Sequence, residues 1–173
     1  MSEYTDTLDL TGSNPDEIGF PAIPSGRYAA HVAKASRKET DNIDGSKALP
    51  HGTPYYSLGI RVNEDHPEVE DAEGNSVAVG GAYAGWINLF FVPADYDPQK
   101  ARRMKNQFAN FLRAAGEEYE KKGYSIPPAD DFIGREVTVI VRRKWDRNES
   151  KWVNEIEGFA AAGDTADASG MLR

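Results

Sequence analysis

The chain has no cysteine, only three histidines, and no apolar run near the ~20 residues that cross a bilayer. Each absence removes a class of function. Without thiols there are no disulfides, no thiolate metal ligands and no cysteine nucleophile. His31, His51 and His66 lie far apart and without ligand spacing, so no metal site is expected. There is no Walker-type glycine loop, no Gly-x-Ser-x-Gly elbow and no His-Glu-x-x-His pair. The adjacent carboxylates Glu117-Glu118 and Asp130-Asp131 fall in polar connecting segments, where solvated loop charge accounts for them. The expectation is a protein that is not an enzyme and uses no cofactor. Its first twenty residues also lack the basic-then-apolar order of a signal peptide. A soluble, cytoplasmic protein with no membrane partner is expected.

What is present fits one domain with a polar margin: 173 residues, 39% hydrophobic, 10% aromatic, with a mean hydropathy of -0.62. Net charge is -8, which taken alone argues against a phosphate-bearing partner. Its distribution matters more than its total. Acid gathers in Glu3, Asp6, Asp9, Asp16 and Glu17, then in Glu64, Asp65, Glu68, Glu70, Asp71 and Glu73. Base gathers in Arg27, Lys34, Arg37 and Lys38, in Lys100, Arg102, Arg103 and Lys105, and from Arg142 to Lys151.

Residues 1–22 carry Gly12, Asn14, Pro15, Gly19 and Pro21 with little periodicity and read as a flexible acidic arm. Period-two alternation then marks five strands. The first runs over Arg27–Lys34, with Tyr28, Ala30 and Val32 together. The second runs over Tyr55–Val62, with Tyr56, Leu58, Ile60 and Val62 inward. The third runs over Trp86–Phe91, with Ile87, Leu89 and Phe91 inward. A helix over Pro98–Ala115 follows, with Asp97 as N-cap, Pro98 in the first turn and Gly116 past its end. Its stripe of Met104, Phe108, Phe111, Leu112 and Ala115 faces the core. Strands over Arg135–Arg142 and Trp152–Phe159 form a hairpin, and residues 160–173 read as a flexible tail.

Three strands, a helix and two strands is the order of an OB barrel, so the expected fold is mainly β (α+β): a five-stranded OB-like barrel over residues 23–159, with one helix between strands three and four. Such barrels bind oligonucleotides on strands two and three. On the outer face of those strands the alternation places Tyr55, Arg61, Trp86 and Phe90, rings for stacking and a cation for phosphate. Gly59 lies on the same face, where the expectation is a bend in the barrel. The hairpin adds Arg142, Arg143, Lys144, Trp145, Arg147, Lys151 and Trp152, with Trp145 and Trp152 flanking the turn, as in a cross-strand aromatic pin.

The segments Ile23-Pro24-Ser25-Gly26-Arg27-Tyr28, Phe111-Leu112-Arg113-Ala114-Ala115-Gly116 and Phe132-Ile133-Gly134-Arg135-Glu136-Val137, with Asn154-Glu155-Ile156, resemble small bacteriophage single-stranded-DNA-binding proteins of replication and recombination modules. The resemblance implies an OB-type fold that protects single strands, with single-stranded DNA, or RNA, as partner. It departs at the C-terminus, where such proteins often end in an acidic tail and this chain carries Asp164 and Asp167 and ends in Arg173. The alternative is a protein-interaction module recruiting a replication or recombination partner. Oligomeric state is left open. Deleting residues 1–20 is expected to leave the melting temperature unchanged and to tighten binding, because it removes carboxylates that compete with phosphate. Weaker binding by the truncated protein, measured by titration, would make the arm part of the site.

Overall fold

Alternating apolar residues need a sheet that buries one face, and the computed structural model, which describes residues 9–11, 22–41 and 49–164, supplies one. Its long strands are β1 (Gly26–Glu39), β2 (Pro54–Val62), β5 (Tyr83–Phe90), β6 (Glu136–Asp146) and β7 (Lys151–Ala160). They pair antiparallel in the order β5-β2-β1-β6-β7. In and just after the acidic stretch from Glu64 to Glu73, β3 (Val69–Glu70) and β4 (Ser76–Val77) form a separate small hairpin.

The central strand serves two partners with its two halves. Gly26 to His31 pair with Val141 to Glu136 of β6, whereas Ala30 to Glu39 pair with Val62 to Pro54 of β2. A register shift between Val32 and Lys34 marks the change of partner, and a bulge there bends the strand. Two ribbons therefore outrun the shared part of the sheet. One is the distal half of β1 with the start of β2. The other is Arg142–Asp146 with Lys151–Glu155, where β6 pairs with β7 alone.

The sheet is open, in contrast to the barrel expected from the order of elements. Its edges are β5 and β7, and side chains bring them together without a backbone ladder among the described residues. Asn154 of β7 donates to the Tyr83 carbonyl of β5 at 3.0 Å and accepts from the Ile23 amide at 2.8 Å. Ile156 lies so close to Gly85 that a Cβ there would stand 3.2 Å from its Cγ1. Gly85 also has φ +145, open to glycine and strained for other residues.

The helix α1 (Pro98–Ala114) begins and ends as its sequence dictates. Asp97 accepts from the Gln99 and Lys100 amides at 2.9 and 3.2 Å. At the other end Glu117 N–H reaches the Leu112 carbonyl and Gly116 N–H reaches that of Arg113, a Schellman closure with Gly116 at φ +85. The helix packs chiefly through its C-terminal half. Phe108, Phe111, Leu112 and Ala114 are buried, and Asn110 exchanges two hydrogen bonds with the backbone of Phe159 on β7. In the N-terminal half Ala101 is the buried residue, and Met104, expected in the core stripe, is only half-buried. Phe111 meets Phe132 and Phe159 edge-on, with centroids 5.3 and 5.2 Å apart.

The expected core faces are the observed ones. Tyr28, Ala30, Val32, Tyr56, Leu58, Ile60, Val62, Ile87, Leu89, Val137, Val139 and Val141 are all buried. Phe91 packs at their margin, edge-on to Phe108. Phe132, fully buried, comes from a short 3-10 turn (Ala129–Phe132) that the Pro-rich spacing around it conceals. The described part of the expected tail is tied down: Ala160 is still strand, Thr138 Oγ1 donates to the Ala161 carbonyl, and Asp164 lies 3.6 Å from Arg27. Of the expected arm, residues 1–8 and 12–21 lie outside the described residues.

Two measurements follow from this packing. Phe108→Ala truncates a buried ring against Tyr56 and Phe91, and urea unfolding should show a loss of ~3 to 5 kcal/mol; a mutant as stable as the parent would refute the assigned helix face. Tyr28 is buried, its hydroxyl donates to the Pro24 carbonyl, and burial pushes its pKa up to about 12. Since the folded state favours neutral phenol, stability should be intact below the ordinary tyrosine pKa of about 10 and fall as pH rises through 12. Tyr28→Phe should flatten that alkaline loss in unfolding measured against pH.

Candidate nucleic-acid interface

The outer face of β2 and β5 is built by direct cross-strand pairs. Tyr55 stands opposite Phe90, Ser57 opposite Asn88, Gly59 opposite Trp86 and Arg61 opposite Tyr83. Four of the expected binding residues, Tyr55, Arg61, Trp86 and Phe90, are thus brought onto one face. The row from Tyr55 to Arg61 covers about 20 Å at strand spacing. At one end the Tyr55 and Phe90 rings meet with centroids 5.0 Å apart. At the other, the Arg61 guanidinium carbon lies 4.4 Å from the centre of the Tyr83 ring. Trp86 lies between them, 48% exposed, with its plane within 9° of Tyr83 and ring centres 6.3 Å apart.

Tyr83 is the member of this row that alternation does not find. Counting by twos from Trp86, residue 84 belongs outside and residue 83 inside. The register shift near Ile60 and Arg61 makes Ala84 the extra residue, so Ala84 is buried in the core and Tyr83 turns to the outer face opposite Arg61, where the guanidinium and Trp86 lie against its ring and leave it only 7% exposed. The detectable signal is Gly85, whose isolated glycine in an apolar run marks a bulge.

No protein-family model matches the chain, and no curated protein matches it in sequence.

The β6–β7 ribbon divides the remaining expected residues between two faces. Trp145 and Trp152 are directly opposed, edge to face at 5.4 Å, and each is 46% exposed. Arg143 shares their face and lays its guanidinium carbon 4.5 Å from the centre of the Trp152 ring. On the other face, Arg142 lies 3.7 Å from Glu157 and Lys144 lies 3.8 Å from Glu155. Lys151 lies 2.8 Å from Glu149 beside the turn, and Arg147 is exposed within it. The basic run that looks uniform in sequence is one cation stacked on an indole, together with several already matched by carboxylates. Such exposed pairs contribute ~0 to 1 kcal/mol each, yet they cancel much of the local positive charge.

The ribbon of β1 and β2 also brings cations to the Tyr55 end. Lys38 pairs across from Tyr55 and Arg37 from Tyr56, and Arg37 lies 3.4 Å from Glu39. Of the helix cations, Lys100, Arg102 and Arg103 are exposed, while Asp97 is engaged in capping. Among the described residues no group of three His, Asp or Glu side chains is placed to hold a metal ion. Among them, too, no helix is long and apolar enough to cross a membrane.

Proposed function

We propose that this protein binds single-stranded nucleic acid, without catalysis, along the outer face of β2 and β5. The observation that carries the reading is the row of rings and cation in cross-strand register: Tyr55 with Phe90, Trp86 over Gly59, and Arg61 over Tyr83. Rings with an open face stack on any base, and a cation beside them meets the backbone phosphates, which is what sequence-tolerant binding requires. Further support comes from the strand order. With the five long strands counted alone, the order β5-β2-β1-β6-β7 places the first strand between the second and the fourth, as in an OB barrel, and the edge strands approach through Asn154. In such barrels the loops one-two and four-five flank the binding face, and the two ribbons here extend from those connections. The resemblance to phage single-strand binders supplies the setting, protection of single-stranded DNA during phage replication or recombination.

A second reading rests on the paired cations of the ribbon. Glu155 and Glu157 neutralise cations on one face, and the opposite face presents two exposed indoles with Arg143 stacked on one of them, a largely apolar patch that suits a protein partner better than a phosphate backbone. In that case Trp145 and Trp152 anchor a replication or recombination protein.

The two roles assigned to the interface have separable signatures. Trp86→Ala should weaken binding of a short oligothymidylate by ~1 to 3 kcal/mol and leave the salt dependence unchanged, because a lost stack releases no counterions. Arg143→Ala should lower the salt slope by about 0.7, whereas Arg142→Ala, which frees Glu157 from its partner, should lower it less than a full contact. Fluorescence titrations at several salt concentrations measure both. Equal affinity for duplex and single strand, or a Trp86→Ala protein that binds like the parent, would overturn the interface.

A further inference from the structure

Gly59 is buried although it points to the outer face of the sheet. What covers it is Trp86. A Cβ built on Gly59 would stand 3.1 Å from Cη2, 3.2 Å from Cζ2 and 3.2 Å from Cζ3 of that indole. Three consecutive ring atoms at nearly one distance mean that the six-membered ring lies across the glycine face-on. The backbone does not demand a glycine here, since Gly59 is not among the glycines with positive φ. The bend of the sheet has its own device opposite, the register shift between Val32 and Lys34.

We propose that Gly59 is a positioning residue that seats Trp86, so that the indole lies flat on the sheet, keeps one face toward solvent and stays parallel to Tyr83. This rests on the reading of the β2–β5 face as a base-stacking surface and adds how its central platform is held. With any side chain at position 59 the indole must rise. Alanine leaves a contact tighter than ordinary van der Waals distance, so the ring shifts by a few tenths of an ångström. Valine, which strands otherwise favour, occupies the seat and turns the indole away from Tyr83. The ring then presents its edge and loses the stacking geometry it shares with Tyr83, whose own place is fixed beneath Arg61.

The test uses the full chain with Trp145→Phe and Trp152→Phe, which leaves Trp86 as the sole tryptophan. Without any ligand, acrylamide quenching of Trp86 should rise in the order Gly59, Gly59→Ala, Gly59→Val, as the second face of the indole is uncovered, while the melting temperature stays near that of the parent. Binding of a short oligothymidylate to the otherwise unmodified chain should fall about threefold to tenfold in Gly59→Val, and by less than twofold when the same change is made in Trp86→Ala. Unchanged quenching, an equal loss of binding in the two backgrounds, or unfolding of both Gly59 variants would overturn the proposal. If quenching rises as expected but Trp86→Ala binds like the parent, the seat stands as geometry and the stacking surface fails, and with it the role proposed for Gly59.

Discussion

A single strand that must satisfy two partners governs this molecule. β1 is fourteen residues long, and its first half hydrogen-bonds β6 while its second half hydrogen-bonds β2. Strict alternation would continue the inward series Tyr28, Ala30 and Val32 with Lys34, whereas the observed register turns Ala35, opposite Leu58, toward the core. The register shift after Val32 lets the strand bend, and the sheet then curls over the buried face of α1. Everything proposed for the outer surface depends on that curl. It leaves Tyr55, Trp86 and Phe90 on the outer face of β2 and β5, and it carries the two two-stranded ribbons past either end of the row.

Curling an open sheet brings its two edges close without letting them pair, and unpaired edge groups are costly when shielded from water. Asparagine solves this twice. Asn154 joins the Tyr83 carbonyl to the Ile23 amide, and Asn110 from the helix meets both the N–H and the carbonyl of Phe159. In each case a side-chain amide, with a donor and an acceptor side by side, takes the place of a neighbouring backbone. The acceptor and donor at these edges are thereby removed from competition with a passing strand or a second copy of the sheet.

Much of this was legible in the chain because it follows from short-range rules. Alternation assigns the inward residues of β2, β5 and β6, and Asp97, Pro98 and Gly116 mark the helix ends. The face carrying Tyr55, Arg61, Trp86 and Phe90 follows from the same count. What the count misses is set by single extra residues. Ala84 turns Tyr83 outward and so completes the platform beneath Arg61. The ribbon shows a different limit: a run of Arg142, Arg143 and Lys144 reads as one positive patch, but alternation splits it, and the glutamates that neutralise two of the three arrive from the other strand. Sheet closure also depends on long-range approach, which composition and periodicity do not encode. Phe132 was hidden for the opposite reason, a buried ring in a segment whose Pro127, Pro128, Asp130 and Asp131 look like surface.

The pairs Arg142–Glu157 and Lys144–Glu155 have a kinetic meaning as well as an electrostatic one. Both partners sit on the same ribbon, so each carboxylate is a competitor tethered beside the cation it occupies, at an effective concentration that dilution does not lower. An incoming phosphate gains the cation only by exchange, one anion for another, and the carboxylate is ready to return the moment the phosphate departs. Contacts of this kind are traded rather than accumulated. A chain lying across that face would be released piece by piece, each displaced phosphate replaced from within the protein.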